Sequence, residues 1–331
     1  MKIAVDVMGG DNAPKAVIEG CVEAMREYDI DIYLVGLKKD IEDNLGPNIG
    51  NSKIHIVEAQ EIIKNDDAPV NAIRRKKNSS LVLGLQLVKN NNCDAFLSAG
   101  NTGAFLAGSL LRVGRIKGID RPALAPILPS TNGGFMLLDA GANVDCKPIN
   151  IFQFALMGSV YMERIVGIAE PRVGLLSNGS EEGKGNDLTK QSFELLKESN
   201  LNFIGNIEAR DIVSGICDVC VCDGFVGNIV LKNTEGLASG MMSMIKEEIN
   251  KSFLSKIGAI LMKNSFVGLK KRFDYKEYGG APFLGISGIM IKAHGSSDKK
   301  AIKNAIRQAK LLYDNSYIQL INKGINETGV V

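Results

Sequence analysis

The segment SAGNTGAF, which begins at Ser98, offers groups that bind a ligand although it contains no charged side chain. Ser98, Asn101 and Thr102 supply hydroxyl and amide groups that form hydrogen bonds. Gly100 and Gly103 lack a Cβ atom and let the backbone approach a ligand closely. Backbone N–H groups at the start of a helix, together with the helix dipole, favour an anion. The segment therefore predicts a phosphate-binding loop, with a tight turn capped by Asn101 or Thr102 as the alternative.

Several common catalytic motifs are missing from the sequence. No G-x-G-x-x-G stands between the first strand-like run and the first helical run, so a dinucleotide-binding fingerprint is lacking. GSEEGKGN differs from a P-loop, because three residues rather than four separate Gly179 from Gly183, and Gly185 occupies the Ser/Thr position. The two histidines, His55 and His294, leave little scope for a histidine-based triad. We therefore predict positioning and charge stabilisation around an anion, with no cofactor and no metal.

The segment CDVCVC, residues 217–222, contains cysteines at a spacing that resembles half of a zinc site. A second Cys or His pair at ligand spacing does not accompany it. Since Val, Cys and Asp alternate there, we predict a buried strand in which free cysteines act as small hydrophobic residues.

The elements that carry the polar loops follow one recurring pattern. A β-branched run ends in glycine and small polar residues, and a helical pattern follows, at KIAVDV, CDAFLS, FMLLDA, RVGLLS and DVCVCD. This alternation predicts an α/β fold with a mostly parallel sheet and helices on both faces. ALAPILPSTNGGFMLLDA instead predicts an antiparallel hairpin around TNGG. In open α/β sheets ligands bind beyond the carboxyl ends of the strands, where we expect these loops to gather.

Composition is that of an ordinary globular protein. The chain has 331 residues, of which 45% are hydrophobic and 23% charged, and its net charge is +2. Such a balance gives no overall attraction for nucleic acid. No apolar run approaches the roughly 18 to 20 residues needed to span a bilayer, and Asp6 interrupts the N-terminal apolar stretch. We predict a cytoplasmic protein with a single domain over residues 1–331, since no linker divides the chain.

Seven motifs together resemble the phosphate acyltransferases of bacterial phospholipid synthesis. They are DVMGGDNAP (6–14), SAGNTGA (98–104), RPAL (121–124), DAGAN (139–143), EEGKGND (181–187), DGFVGN (223–228) and YGGAPFLGISG…HGSS (278–297). The one mild departure is Val7, where that family more often has Ala. The resemblance implies transfer of a long fatty acyl group from acyl carrier protein to inorganic phosphate. It also implies a fold akin to phosphotransacetylases and isocitrate dehydrogenases, a homodimer, and a downstream glycerol-3-phosphate acyltransferase that uses the product.

In the implied reaction, phosphate attacks the thioester carbonyl directly and a thiolate leaves, so a strong general base is dispensable. The resemblance implies that Lys184 and Asn228 are catalytic, as a compact positive charge and an amide donor to the oxyanion. The phosphate- and substrate-binding residues that it implies are Gly9, Gly10, Asp11, Ser98, Gly100, Asn101, Thr102, Gly103, Asp139, Asn143, Gly227 and His294. We expect Asp11 and Asp139 to orient loop amides or Lys184, and for His294 capping and packing explain the residue equally well.

The segment AIRRKKNSSL, residues 72–81, contains four successive cations. Arg74 and Lys77 match the family's Arg-x-x-Lys-x-Ser-Ser pattern and are candidates to contact the anion or the acidic carrier protein. A solvated run of charges is the alternative interpretation.

Residues 237–275 have a different character and predict a protruding amphipathic helical segment. One apolar stripe comprises Phe253, Leu254, Ile257, Ile260 and Leu261. Lys251, Lys256 and Lys263 flank it, and no acidic residue stands between Glu248 and Asp274. Such a helix suits an anionic membrane surface, which predicts peripheral membrane association. Docking of acyl carrier protein and packing on a dimer partner are the alternatives.

Two other classes of function compete with an acyltransferase. A dehydrogenase of the related fold requires a cofactor site and clustered metal-binding aspartates, and neither is convincing in the sequence. A non-catalytic scaffold that joins carrier protein to membrane would give Lys184 and Asn228 no functional role.

Overall fold

A computed structural model of the protein describes residues 1–273 and 279–328. Runs of aliphatic and β-branched residues form the strands. These are β1 (Lys2–Asp6), β2 (Asp31–Gly36), β3 (Ile54–Glu58), β4 (Ala95–Ser98), β5 (Ala123–Leu124), β6 (Ile127–Ser130), β7 (Gly133–Leu138), β8 (Val173–Ser177), β9 (Phe203–Glu208), β10 (Val219–Val221), β11 (Ala281–Leu284) and β12 (Ile289–Lys292).

Helices alternate with most of these strands. They are α1 (Lys15–Glu27), α2 (Lys38–Leu45), α3 (Pro69–Arg75), α4 (Ser80–Lys89), α5 (Thr102–Gly108), α6 (Pro148–Tyr161), α7 (Asp187–Lys197), α8 (Gly224–Asn250), α9 (Phe253–Leu261), α10 (Lys263–Phe273), α11 (Lys299–Asp314) and α12 (Tyr317–Thr328). A π turn over Ser109–Val113 extends α5, and another over Met162–Val166 extends α6.

The strands form two sheets, where the sequence predicted one. The first has the order β3-β2-β1-β4-β12-β11-β5, and the second has the order β6-β7-β10-β8-β9. The predicted mostly parallel character is confirmed: β11 is antiparallel to both its neighbours, β6 is antiparallel to β7, and the remaining pairs are parallel. Ile3, Ala4 and Val5 of β1 are all fully buried, as expected for a strand covered on both faces.

The chain passes from the first sheet to the second between β5 and β6. Pro126 lies at this crossing and has no N–H to continue a strand ladder. The second sheet then begins with the predicted hairpin, in which Ile127 pairs with Met136 and Ser130 with Gly133 across the turn at 131–132. This part of the sequence interpretation is confirmed.

The predicted buried strand at CDVCVC is also confirmed. It is β10, a central strand of the second sheet. Cys217, Cys220 and Cys222 are free thiols and buried, and burial raises the pKa of Cys222 well above its ordinary value.

The helical segment from α8 to α10 is mostly exposed. Gly224 and Gly227 are the buried residues of α8, and α9 has no buried residue. Helix α10 returns to contact β6. The end of the predicted segment, residues 274 and 275, lies outside the described residues. Over the part of the chain that the structure covers, no helix has the length and apolar content needed to cross a membrane.

Candidate active site

Loops at the ends of β1, β4 and β12 form one side of the site. These strands are parallel neighbours, so their carboxyl ends lie at the same edge. A Cβ atom on Gly9 would lie 2.6 Å from the backbone nitrogen of Gly100. Gly10 has a φ of +99°, and its Cβ would lie 2.9 Å from the carbonyl oxygen of Gly295. Asp11 donates its backbone N–H to that same oxygen at 2.8 Å. Three loops far apart in sequence are therefore packed backbone against backbone.

Ser98 joins this cluster to a buried carboxylate. Its hydroxyl donates to Asp6 Oδ2 at 2.8 Å and accepts the backbone N–H of Gly100 at 3.1 Å. Burial raises the pKa of Asp6, and hydrogen bonds from Ser80 and Ser98 oppose that effect. Ser98 thus links the backbone of Gly100 to the Asp6 carboxylate and holds this loop in place.

Asn101 is the N-cap of α5, as the capping alternative expected. Its Oδ1 accepts the backbone N–H of Ala104 at 2.9 Å. Its Nδ2 donates to the carbonyl oxygens of Lys64, Asn65 and Asp67. Because both ends of the amide are engaged, this side chain positions the helix start. The exposed residues of the loop that line the cavity are Thr102 and Gly103, in the first turn of α5, where backbone N–H groups lack intrahelical partners.

The loop after β7 forms the opposite side of the site around Asp139. This fully buried carboxylate accepts backbone N–H groups from Leu124, Gly141, Ala142 and Asn143. It also accepts the side-chain amide of Asn143 at 2.9 Å. Burial raises its pKa, while these donors lower it. Asp139 and Asn143 therefore organise the loop, in keeping with the role expected of Asp139.

Asn228 faces this loop from near the start of α8. Gly227 packs so tightly that a Cβ atom there would lie 1.8 Å from the carbonyl oxygen of Asp139. A Cβ on Gly141 would lie 3.4 Å from Asn228 Oδ1. The amide of Asn228 is thereby placed over the Gly141 backbone.

The two sides meet at one cavity of about 1260 Å³. Among the predicted site residues, Thr102, Gly103, Asn228 and His294 line it, together with Gly295. Gly9, Gly10, Asp11, Ser98, Gly100, Asn101, Asp139, Asn143 and Gly227 support these loops. The structure therefore brings these predicted site residues together around one cavity.

The predicted cations do not line this cavity. Lys184 is exposed in the loop between β8 and α7, where its backbone N–H donates to the carbonyl oxygen of Glu181 at 3.0 Å. Arg74 lies in the last turn of α3 and Lys77 lies just beyond that helix, and both are exposed. Their proposed roles stay predictions.

Lys292, the last residue of β12, is a cavity residue that the sequence interpretation missed. It is 8% exposed, and its Nζ donates to the carbonyl oxygens of Ala99, at 3.2 Å, and of Ala293. Burial lowers its pKa to about 8, and Asp6 opposes that effect. The available signal was a lone lysine that ends an apolar strand two residues before His294.

His294 lies at the mouth of this side of the cavity. Its Nδ1 accepts the backbone N–H of Ser296 at 3.2 Å and lies 2.9 Å from the Ser296 hydroxyl oxygen. Burial holds its pKa below the ordinary value, with Lys232 acting in the same direction. The imidazole is therefore largely neutral at neutral pH. Among the residues that the structure describes, no His, Cys, Asp and Glu side chains form a group suited to a metal ion.

Comparisons with known proteins decide the family. The sequence profile of the fatty acid synthesis protein family matches residues 1–320. A phosphate acyltransferase of Clostridium novyi is 55% identical over 329 residues, which cover 99% of each chain. The chain therefore belongs to the fatty acid synthesis protein family, which includes this phosphate acyltransferase. A phosphate acyltransferase of Thermoanaerobacterium thermosaccharolyticum is 53% identical and covers 99% of this chain and 98% of its own. The protein is therefore an acyltransferase of the fatty acid synthesis family, rather than a dehydrogenase or a scaffold.

Solved structures confirm the predicted phosphotransacetylase-like fold. A phosphotransacetylase from Streptococcus pyogenes superposes with a TM-score of 0.63 at 16% identity, covering 96% of this chain and 94% of its own. A branched-chain phosphotransacylase from Enterococcus faecalis gives 0.54 at 12% identity, covering 94% and 99%. At these identities the likeness concerns the fold alone.

Proposed function

We propose that the protein transfers a long-chain fatty acyl group reversibly from acyl carrier protein to inorganic phosphate. The observation that carries this proposal is that one cavity is lined by the start of α5, by Asn228 and by Lys292 together. Backbone N–H groups and a buried cation suit phosphate. The membership in the phosphate acyltransferase family supports the same reaction.

In the proposed mechanism, a phosphate oxygen attacks the thioester carbonyl carbon and forms a tetrahedral oxyanion. The Asn228 amide donates a hydrogen bond to this oxyanion. The carbon–sulfur bond then breaks, and the leaving thiolate takes the proton that the hydrogen phosphate loses on becoming acyl phosphate. Positioning by the loops and charge stabilisation carry the rate enhancement, since the thiolate leaves readily without an acid.

Lys184 is the second proposed catalytic residue. Strands β8 and β10 are parallel neighbours, so the loop with Lys184 and helix α8 with Asn228 follow strands that end at the same edge of the second sheet. Glycines at 183 and 185 flank the lysine. We propose that its ammonium reaches the reacting groups from outside the cavity.

Four finer proposals concern partners. The acidic carrier protein docks near the site with the help of Arg74 and Lys77. The exposed face of α9 contacts anionic membrane, two chains form a homodimer, and a glycerol-3-phosphate acyltransferase consumes the acyl phosphate. Support for the membrane contact comes from exposed Phe253, Leu254, Ile260 and Leu261, each more than 70% accessible, beside the lysines already named. Ile257 belongs to the same face and is 43% exposed.

The direct test incubates the purified protein with palmitoyl acyl carrier protein and phosphate and follows acyl phosphate and free carrier thiol. We expect both products in equal amounts, without added metal. Loss of the Asn228 amide donor in Asn228→Ala should slow turnover by about 10²- to 10³-fold, and Lys184→Ala should also slow it. Circular dichroism of both variants checks the fold. A wild-type protein that forms no acyl phosphate would contradict the proposed function, and unchanged variants would remove these residues from the mechanism.

A further inference from the structure

The cavity does not end at the reacting groups. It continues from Asn228 along one face of α8, where its lining includes Leu231, Thr234, Ala238, Met242, Ile245 and Ile249. These residues recur every three or four positions, so they share one helix face. At 1.5 Å per residue, the face runs for about 31 Å from Asn228 to Ile249.

The opposite wall of this groove is also apolar. It includes Pro126, Ile127 and Leu128 at the beginning of the second sheet, and Leu106 from α5. Phe266 of α10 lines the same cavity, which is consistent with the return of α10 onto β6. The groove thus has aliphatic side chains on both long sides.

Most of the charged lining residues lie near the reaction end, and Lys246 is the charged residue at the other end of the α8 face. Lys232 lies one turn beyond Asn228 and forms an ion pair of 2.8 Å with Glu235. Lys292 and His294 line the same end. A ligand that fits this distribution has a polar reacting group joined to a long apolar chain.

We propose that this groove binds the fatty acyl chain of the thioester, with the carbonyl beside Asn228 and the chain directed along α8 past Ala238. The assignment rests on the proposed function and adds the place of the acyl chain. The volume exceeds the range of about 300 to 1,000 Å³ typical of small-molecule pockets. Continuity with the phosphate-binding loops fixes the direction, because the carbonyl must lie at the loops for phosphate to attack it.

The test narrows the groove with Ala238→Trp. This position is about 15 Å along α8 from Asn228 at 1.5 Å per residue. Leu237→Trp is the matched control, since Leu237 is the adjacent residue, is 55% exposed and does not line the cavity. We expect Ala238→Trp to lower the ratio of palmitoyl to butyryl turnover by about tenfold or more. In Leu237→Trp this ratio should stay at the wild-type value.

A binding readout separates the groove from catalysis. The chain contains no tryptophan, so each variant carries a single fluorescent reporter. A brominated long-chain fatty acid should quench the emission of Ala238→Trp and leave that of Leu237→Trp unchanged. Equal quenching in both variants, or an unchanged chain-length ratio, would overturn the assignment of the groove. A wild-type protein that acylates phosphate from neither thioester would overturn the proposed function. The quenching result would still show whether the groove binds a fatty acyl chain.

Discussion

At the scale of single residues, the least expected finding is a buried cation, Lys292, among the site loops. In sequence, Lys292 is one of 39 basic residues and merely ends a strand. Its burial depends on the pairing of β12 with β4, a strand far from it in sequence, as well as with the neighbouring strand β11. Such long-range packing is not encoded in local periodicity, which explains why the residue was missed.

The depressed pKa of Lys292 predicts a pH dependence. Because burial lowers that pKa to about 8, the ammonium loses its proton as the pH rises through this value. The KM for phosphate should then rise by about tenfold for each pH unit well above the pKa, since the charged fraction falls by that factor. Kinetics at saturating thioester from neutral to alkaline pH measure this dependence.

Lys292→Arg is the control for this titration, because arginine keeps its charge across the same range. Its KM for phosphate should change little with pH. Parallel profiles of the two proteins would contradict a role of the Lys292 charge in binding phosphate.

At the scale of elements, the sequence predicted the strand–loop–helix units and the hairpin correctly, because each rests on local patterns. It also left open whether Asn101 binds phosphate or caps a helix, and the contacts of its amide favour the cap. The place of Lys184 was harder to predict. Its loop follows a parallel strand, which fixes the edge of the sheet but not the distance from the cavity.

Helix α9 carries a prediction about membrane contact. Ile257→Asp and Leu261→Asp should each weaken flotation with anionic vesicles by about tenfold or more, since burying one such side chain is worth about 1.5–3 kcal/mol. The control is Leu195→Asp on α7, an apolar residue that is also partly exposed, at 37%. Flotation that persists equally in all three variants would contradict the membrane contact.

At the scale of the whole molecule, the sequence predicted one sheet and the structure has two. Local alternation shows that strands and helices follow one another, but it does not say which strands are neighbours. The change of sheet occurs over a few residues around Pro126, which the sequence analysis placed inside a hairpin region. The cavity lies where loops of both sheets meet, so its full lining was not predictable from strand order.

The proposed homodimer is the prediction at this scale. Light scattering after size-exclusion chromatography should give twice the 35.6 kDa of one chain. The mass should persist on dilution, as expected for a stable assembly. A mass equal to that of a single chain would contradict the proposal.

The Asp139 carboxylate has a mechanical consequence. Its Oδ1 accepts the N–H of Leu124, a residue of the first sheet, although Asp139 itself follows a strand of the second. If the sheets moved apart here, the buried Asp139 carboxylate would lose the hydrogen bond from Leu124. Leaving a buried carboxylate without one of its donors is energetically unfavourable. The bottom of the cavity is therefore held together across the two sheets, so separating them there costs about 1–3 kcal/mol for this hydrogen bond alone.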